Sequence, residues 1–94
     1  MSTFKAKILT PEGSVFEGIV NGVRMPGTLG SFEIKHNHAP IVSTLSKGKV
    51  KILGKISIEE DSKDKFEFTD KEILLDIESG TVEMNNNNVT LLID

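Results

Sequence analysis

Apolar side chains recur at every second position in Phe4-Ala6-Ile8, Val50-Ile52, Ile56-Ile58, Ile73-Leu75-Ile77 and Val89-Leu91-Ile93. Successive side chains of an extended strand point to opposite faces, so this spacing places each apolar set on one side of a strand. The residues between them, Lys5, Lys7, Lys51, Ser57 and Thr90, point the other way, and each sheet is predicted to have one buried and one wetted face. The stretch that comes nearest to a helix, Asp70 to Asp76, is also predicted as a strand, because Ile73, Leu75 and Ile77 alternate and Gly80 follows closely.

Turn signals separate the apolar runs at short intervals: Thr10-Pro11-Glu12-Gly13, Asn21-Gly22, Pro26-Gly27-Thr28-Leu29-Gly30, Ser46-Lys47-Gly48, Asp61-Ser62-Lys63-Asp64, Ser79-Gly80 and Asn85 to Asn88. Each can reverse the chain, since Gly and Asn accept positive φ and Pro presets φ near −65°. Many short strands so spaced predict an all-β sandwich or barrel. The four asparagines lie between Val82-Glu83-Met84 and Val89-Thr90-Leu91 and read as a hairpin loop rather than a low-complexity tract. At Asn37-His38-Ala39-Pro40-Ile41-Val42, Pro40 drives Ala39 out of the helical region and withholds an amide from any ladder. An extended corner is predicted there, where the chain passes from one sheet to the other.

Composition narrows the picture. With 94 residues, 37% of them hydrophobic, the chain can enclose one core, and a single domain over residues 1–94 is expected. There is no cysteine, so neither a disulfide framework nor a thiolate metal site is available. No apolar run approaches the length that spans a bilayer, so the domain is expected to be soluble, with no direct membrane insertion. The net charge of −3 is unevenly placed: residues 1–58 carry +5 and residues 59–94 carry −8. The lysines of the basic half lie along alternating strands without interleaved aromatics to stack bases, and no nucleic-acid partner is expected.

Candidate chemistry is sparse. His36 and His38 would share a face of a strand, but two imidazoles do not make a zinc site, and the nearest acid in sequence is Glu33. A metal-dependent enzyme centred on them is one hypothesis, against a solvated His36 and a hydrogen-bonded His38 at a corner or interface. No Ser or Thr sits in a strand-to-helix elbow with a base, and Glu59-Glu60-Asp61 reads as a charged hairpin tip. Gly27-Thr28-Leu29-Gly30 lacks the helix and lysine that would make it a phosphate loop. The residues alone describe a small β module with no reaction centre and no cofactor, whose work is to touch something.

The run Val23-Arg24-Met25-Pro26-Gly27-Thr28-Leu29-Gly30-Ser31-Phe32-Glu33-Ile34, followed by His38-Ala39-Pro40-Ile41-Val42, resembles the signature of ATP synthase epsilon subunits. Thr10-Pro11-Glu12 leading to Val15-Phe16-Glu17-Gly18, then Lys47-Gly48, and Glu78-Ser79-Gly80-Thr81-Val82-Glu83-Met84 leading to Val89-Thr90-Leu91-Leu92 extend the likeness to nearly the whole chain.

The resemblance implies a flattened antiparallel β-sandwich of about ten short strands, all-β and without a C-terminal helical hairpin. It implies a non-catalytic collar of the rotary, proton-translocating enzyme, held between the gamma subunit and the c-subunit ring, on the cytoplasmic face of the bacterial inner membrane. By family position, Gly27, Thr28, Leu29, Gly30, Ser31 and Phe32 match the edge that faces the ring, while Thr10, His38 and Ser43 match positions near gamma. Ser31 stands where family members often carry an acid, with Glu33 two positions later. The two helices that inhibit hydrolysis or bind ATP in longer members would follow Asp94, so neither nucleotide binding nor a helical brake is expected within these residues. An interface of roughly 800 Å² per partner is expected for a joint under load. The alternative is an unrelated β-sandwich adaptor that pairs a free strand edge with an extended peptide.

Overall fold

The computed structural model describes residues 3–54, 66–69 and 72–94, and every regular element among them is a strand. In chain order these are β1 (Phe4–Thr10), β2 (Gly13–Val20), β3 (Gly22–Gly27), β4 (Gly30–Ile34), β5 (Ile41–Leu45), β6 (Gly48–Leu53), β7 (Phe66–Phe68), β8 (Glu72–Ile77), β9 (Gly80–Asn85) and β10 (Asn88–Ile93). Four of the alternating runs lie in β1, β6, β8 and β10, and all of their apolar side chains are buried. Ile56-Ile58 and the predicted turn at Asp61 to Asp64 lie outside the described residues.

The strands follow one hydrogen-bonded path that folds over on itself. One layer runs β2-β1-β10-β9-β5 and the other β4-β3-β6-β8-β7, and they join where Gly27 of β3 bridges Leu45 of β5. Buried side chains from both layers, Ile8, Val82 and Leu91 from the first and Met25, Ile34 and Ile52 from the second, belong to one core cluster. Burying a side chain of this size is worth about 1.5–3 kcal/mol, so the alternation that defines each strand also supplies the energy that closes the sandwich.

Every pairing among the described residues is antiparallel except that of β1 with β10, which run parallel from Lys5↔Asn88 to Leu9↔Leu92. Alternation looks the same in either chain direction, so nothing in the apolar pattern marks this pair. A bulge interrupts the pairing of β1 with β2: Ile8 faces Phe16 while Leu9 faces Ser14, leaving Val15 as the extra residue. The bulge lets two consecutive apolar residues, Val15 and Phe16, both enter the core, which strict alternation forbids.

The asparagine run forms the predicted hairpin, with a shorter loop than its composition implies. Asn85 still pairs with Asn88, and the reversal is made by Asn86 and Asn87 alone, at φ 51° and 59°. Two successive left-handed residues give the type I′ turn, whose twist matches that of the strands it joins.

Candidate partner-binding surfaces

The β3–β4 hairpin is built around Gly27 and Gly30, the last pair of its ladder. A Cβ on Gly27 would stand 2.7 Å from the Gly30 carbonyl oxygen and 2.7 Å from the Phe32 ring, so only glycine lets the half-buried Phe32 lie across the backbone here. Gly30 has φ +127°, a conformation that side-chain-bearing residues rarely adopt. Between them Leu29 projects with its whole side chain in solvent, at 102% relative exposure. Ser31 pairs with Pro26, and Phe32 with Met25, on the way back into the layer.

The other side of this hairpin is held by the end of β5. Thr28 donates its amide N–H to the Thr44 carbonyl at 3.2 Å, and the two hydroxyls share a hydrogen bond of 2.9 Å. The Pro26 carbonyl accepts from the Ser46 amide at 2.7 Å and from the Ser46 hydroxyl at 3.2 Å. Gly27 and Gly30 signal a tight turn in the sequence, whereas Thr44 and Ser46 carry no sequence signal that marks their place beside it.

Thr10, His38 and Ser43 all belong to the first layer or its entrance, but they do not converge on one point. Thr10 ends β1, where its hydroxyl donates to the Gly13 carbonyl at 3.2 Å and accepts from the Glu12 amide at 3.2 Å, closing the Pro11 turn. With Leu9, Thr44, Thr81 and Leu92 it lines an open groove across that end of the layer. His38 lies at the opposite end, in the predicted Pro40 corner, where its Nδ1–H donates to the Ala39 carbonyl at 2.7 Å and its amide to the Lys35 carbonyl at 3.3 Å. Ser43 sits in the middle of β5, half-buried and paired with Val82. The corner is tied down by Asn37, whose amide donates to Asn87 Oδ1 at 2.6 Å.

The outer faces carry the charge. Lys49 of β6 and Lys47 just before the strand meet acids of the second half of the chain: Lys49 Nζ lies 3.0 Å from Asp76 and 3.1 Å from Glu67, and Lys47 reaches Glu78 at 4.0 Å. The uneven charge of the two halves is thus brought together across β6, β8 and β7. Hydrogen bonds that the Lys49 ammonium donates, to Asp76 first and then Glu67, raise its pKa above the ordinary value. Glu33 is taken up by Arg24 at 3.3 Å and Lys35 at 3.4 Å, so this carboxylate is engaged on the face of the second layer rather than standing in for an acid at Ser31. His36 is exposed, and no group of three His, Asp or Glu residues suited to a metal ion occurs among the described residues.

Residues 3–94 match the profile described as "ATP synthase, Delta/Epsilon chain, beta-sandwich domain". The ATP synthase epsilon chain of Chlorobium limicola is 36% identical over 89 residues, covering 95% of this chain and 86% of that protein. The epsilon chain of Leptospira interrogans serovar copenhageni is 32% identical over 90 residues, covering 96% of this chain and 60% of that protein. Among solved structures, a chain of the Tetrahymena thermophila mitochondrial ATP synthase central stalk and c-ring matches with a TM-score of 0.68. It covers 95% of this chain and 61% of that one at 13% identity, a likeness of fold alone. A profile match from end to end of the sandwich, with relatives of the same description aligned over nearly its full span, shows that the chain belongs to the ATP synthase epsilon-chain family.

Proposed function

We propose that this chain is a non-catalytic collar of the rotary ATP synthase, a single domain over residues 1–94 that couples the gamma subunit to the c-subunit ring. In a bacterial cell this places it at the cytoplasmic face of the inner membrane, held there by its partners. The observation that carries the reading is a stiffly built hairpin backed by a close-packed first layer. The hairpin from Gly27 to Phe32 projects from the second layer with the bare Leu29 at its tip, while Thr10, His38 and Ser43 belong to the first layer and its entrance. A part that joins two bodies needs two faces and little give between them, and close-packed sandwich interiors resist shear because they have few voids to collapse into.

Because the chain has no cysteine, single-cysteine variants report contacts without background. Leu29→Cys is expected to form a disulfide with a cysteine placed in the polar loop of the c subunit, and Thr10→Cys or Ser43→Cys with one placed in gamma. Failure of the purified chain to associate with gamma, together with no cross-link to either subunit in assembled enzyme, would sink the proposal.

A further inference from the structure

We infer that Thr44 is a positioning residue for the β3–β4 hairpin, an inference that rests on the collar function proposed above. A two-stranded hairpin on its own twists readily and is marginally stable in water, so a projecting one makes a poor lever. Here the hairpin has a third support just below its tip. Hydrogen bonds flank Gly27 on both sides: Thr28 is held by the Thr44 carbonyl at 3.2 Å and the Thr44 hydroxyl at 2.9 Å, and the Pro26 carbonyl is held by Ser46. Beyond this clasp only Leu29 remains wholly unsupported.

Thr44 is also the first member of a line that crosses the outer face of the first layer. It pairs with Thr81, Thr81 with Leu92, and Leu92 with Leu9, the neighbour of Thr10. Ladder hydrogen bonds of antiparallel strands run perpendicular to the strands, so from β5 to β10 this line follows the direction in which the layer is cross-linked, and the slanted bonds of the parallel β10–β1 pair continue it. A sideways load on Leu29 therefore enters the first layer at Thr44 and meets backbone hydrogen bonds from β5 to β1. Without the clasp, the same load bends the hairpin instead.

The test uses Thr44→Val, which keeps the shape and removes the hydroxyl, with Thr44→Ser as the rescue. In the isolated chain, Thr44→Val is expected to speed hydrogen exchange at the Thr28 amide by about fivefold, the factor that one hydrogen bond of this kind is worth, with β8 amides unchanged and Thr44→Ser like the original. In membrane vesicles from cells whose own copy carries the change, the ratio of protons pumped to ATP hydrolysed is expected to fall for Thr44→Val and to return with Thr44→Ser. The gamma cross-link from Thr10→Cys is expected to persist in both. Unchanged exchange at Thr28, or a pumping ratio equal to the original, overturns the positioning role. If exchange rises but the unsubstituted chain itself supports no coupled pumping, the collar reading falls and takes the mechanical role of Thr44 with it, while the local clasp stands.

Discussion

Asn37 and Asn87, separated by 50 positions in the chain, hold each other through two hydrogen bonds: the Asn37 amide donates to Asn87 Oδ1 at 2.6 Å, and Asn87 Nδ2 donates to Asn37 Oδ1 at 3.0 Å. Both residues are left-handed, at φ 58° and 59°. The Asn87 carbonyl also accepts the Lys5 amide at 3.0 Å, so one turn residue secures the β9–β10 hairpin, the start of β1 and the corner that carries His38. Replacing Asn87 with Ala removes the side-chain bonds and leaves in the left-handed region a residue without the short polar side chain that makes it tolerable there, an expected loss of about 1–3 kcal/mol. Asn87→Gly, which keeps the backbone, should lose about 1 kcal/mol. Urea unfolding of the two variants checks both values; equal losses would mean that backbone strain plays no part.

At Gly27 the limit is space. Because a Cβ there would collide with both the Gly30 carbonyl and the Phe32 ring, Gly27→Ala must push the ring off the hairpin or open the ladder. Overpacking of this sort costs about 1–3 kcal/mol, read as a lowered unfolding midpoint. A midpoint equal to that of the unsubstituted chain would show that Phe32 moves freely.

Leu29 separates binding from folding. Its side chain touches nothing that folding buries, so Leu29→Asp is expected to change stability by less than about 0.5 kcal/mol. The same change should weaken association with the c-subunit ring, measured by retention of the ring on tagged chain. Normal retention would remove Leu29 from the proposed contact.

The Lys49 cluster makes a prediction about pH. Asp76 and Glu67 raise the ammonium pKa above its ordinary 10.5, so the folded state holds this proton more tightly than the unfolded state. The contribution is fully present below the ordinary value and is lost as pH rises through the raised one. The stability difference between the original chain and Lys49→Met should therefore be constant near neutrality and shrink in strongly alkaline solution, and salt should reduce it throughout, since the cluster is exposed. A difference that grows with alkalinity would contradict the assignment.

Where the chemistry of a fold is local, this sequence declares it. Phe4-Ala6-Ile8 and Val89-Leu91-Ile93 alternate because each faces a core on one side only, and Pro40 and the asparagines mark reversals because their backbone preferences hold in any context. Relations between distant segments are a different matter. The bulge that sends both Val15 and Phe16 inward depends on the register against β1, and the parallel match of β1 with β10 leaves no trace in either strand. The surfaces divide in the same way: Gly27 and Gly30 signal a tight hairpin on their own, but the partner that steadies it, Thr44, is an ordinary strand threonine until the layers meet.

The parallel pairing of the first strand with the last also governs how the molecule comes to exist. As the polypeptide leaves the ribosome, β1 can pair early with β2, but its other edge stays bare until Asn88 to Leu92 have been made. Contacts so far apart in sequence form late and slow the closing step, so acquisition of structure should be concerted once β10 has been made rather than progressive. A chain cut short before β10 would present an open apolar edge on β1, the kind of surface that recruits other unfinished chains.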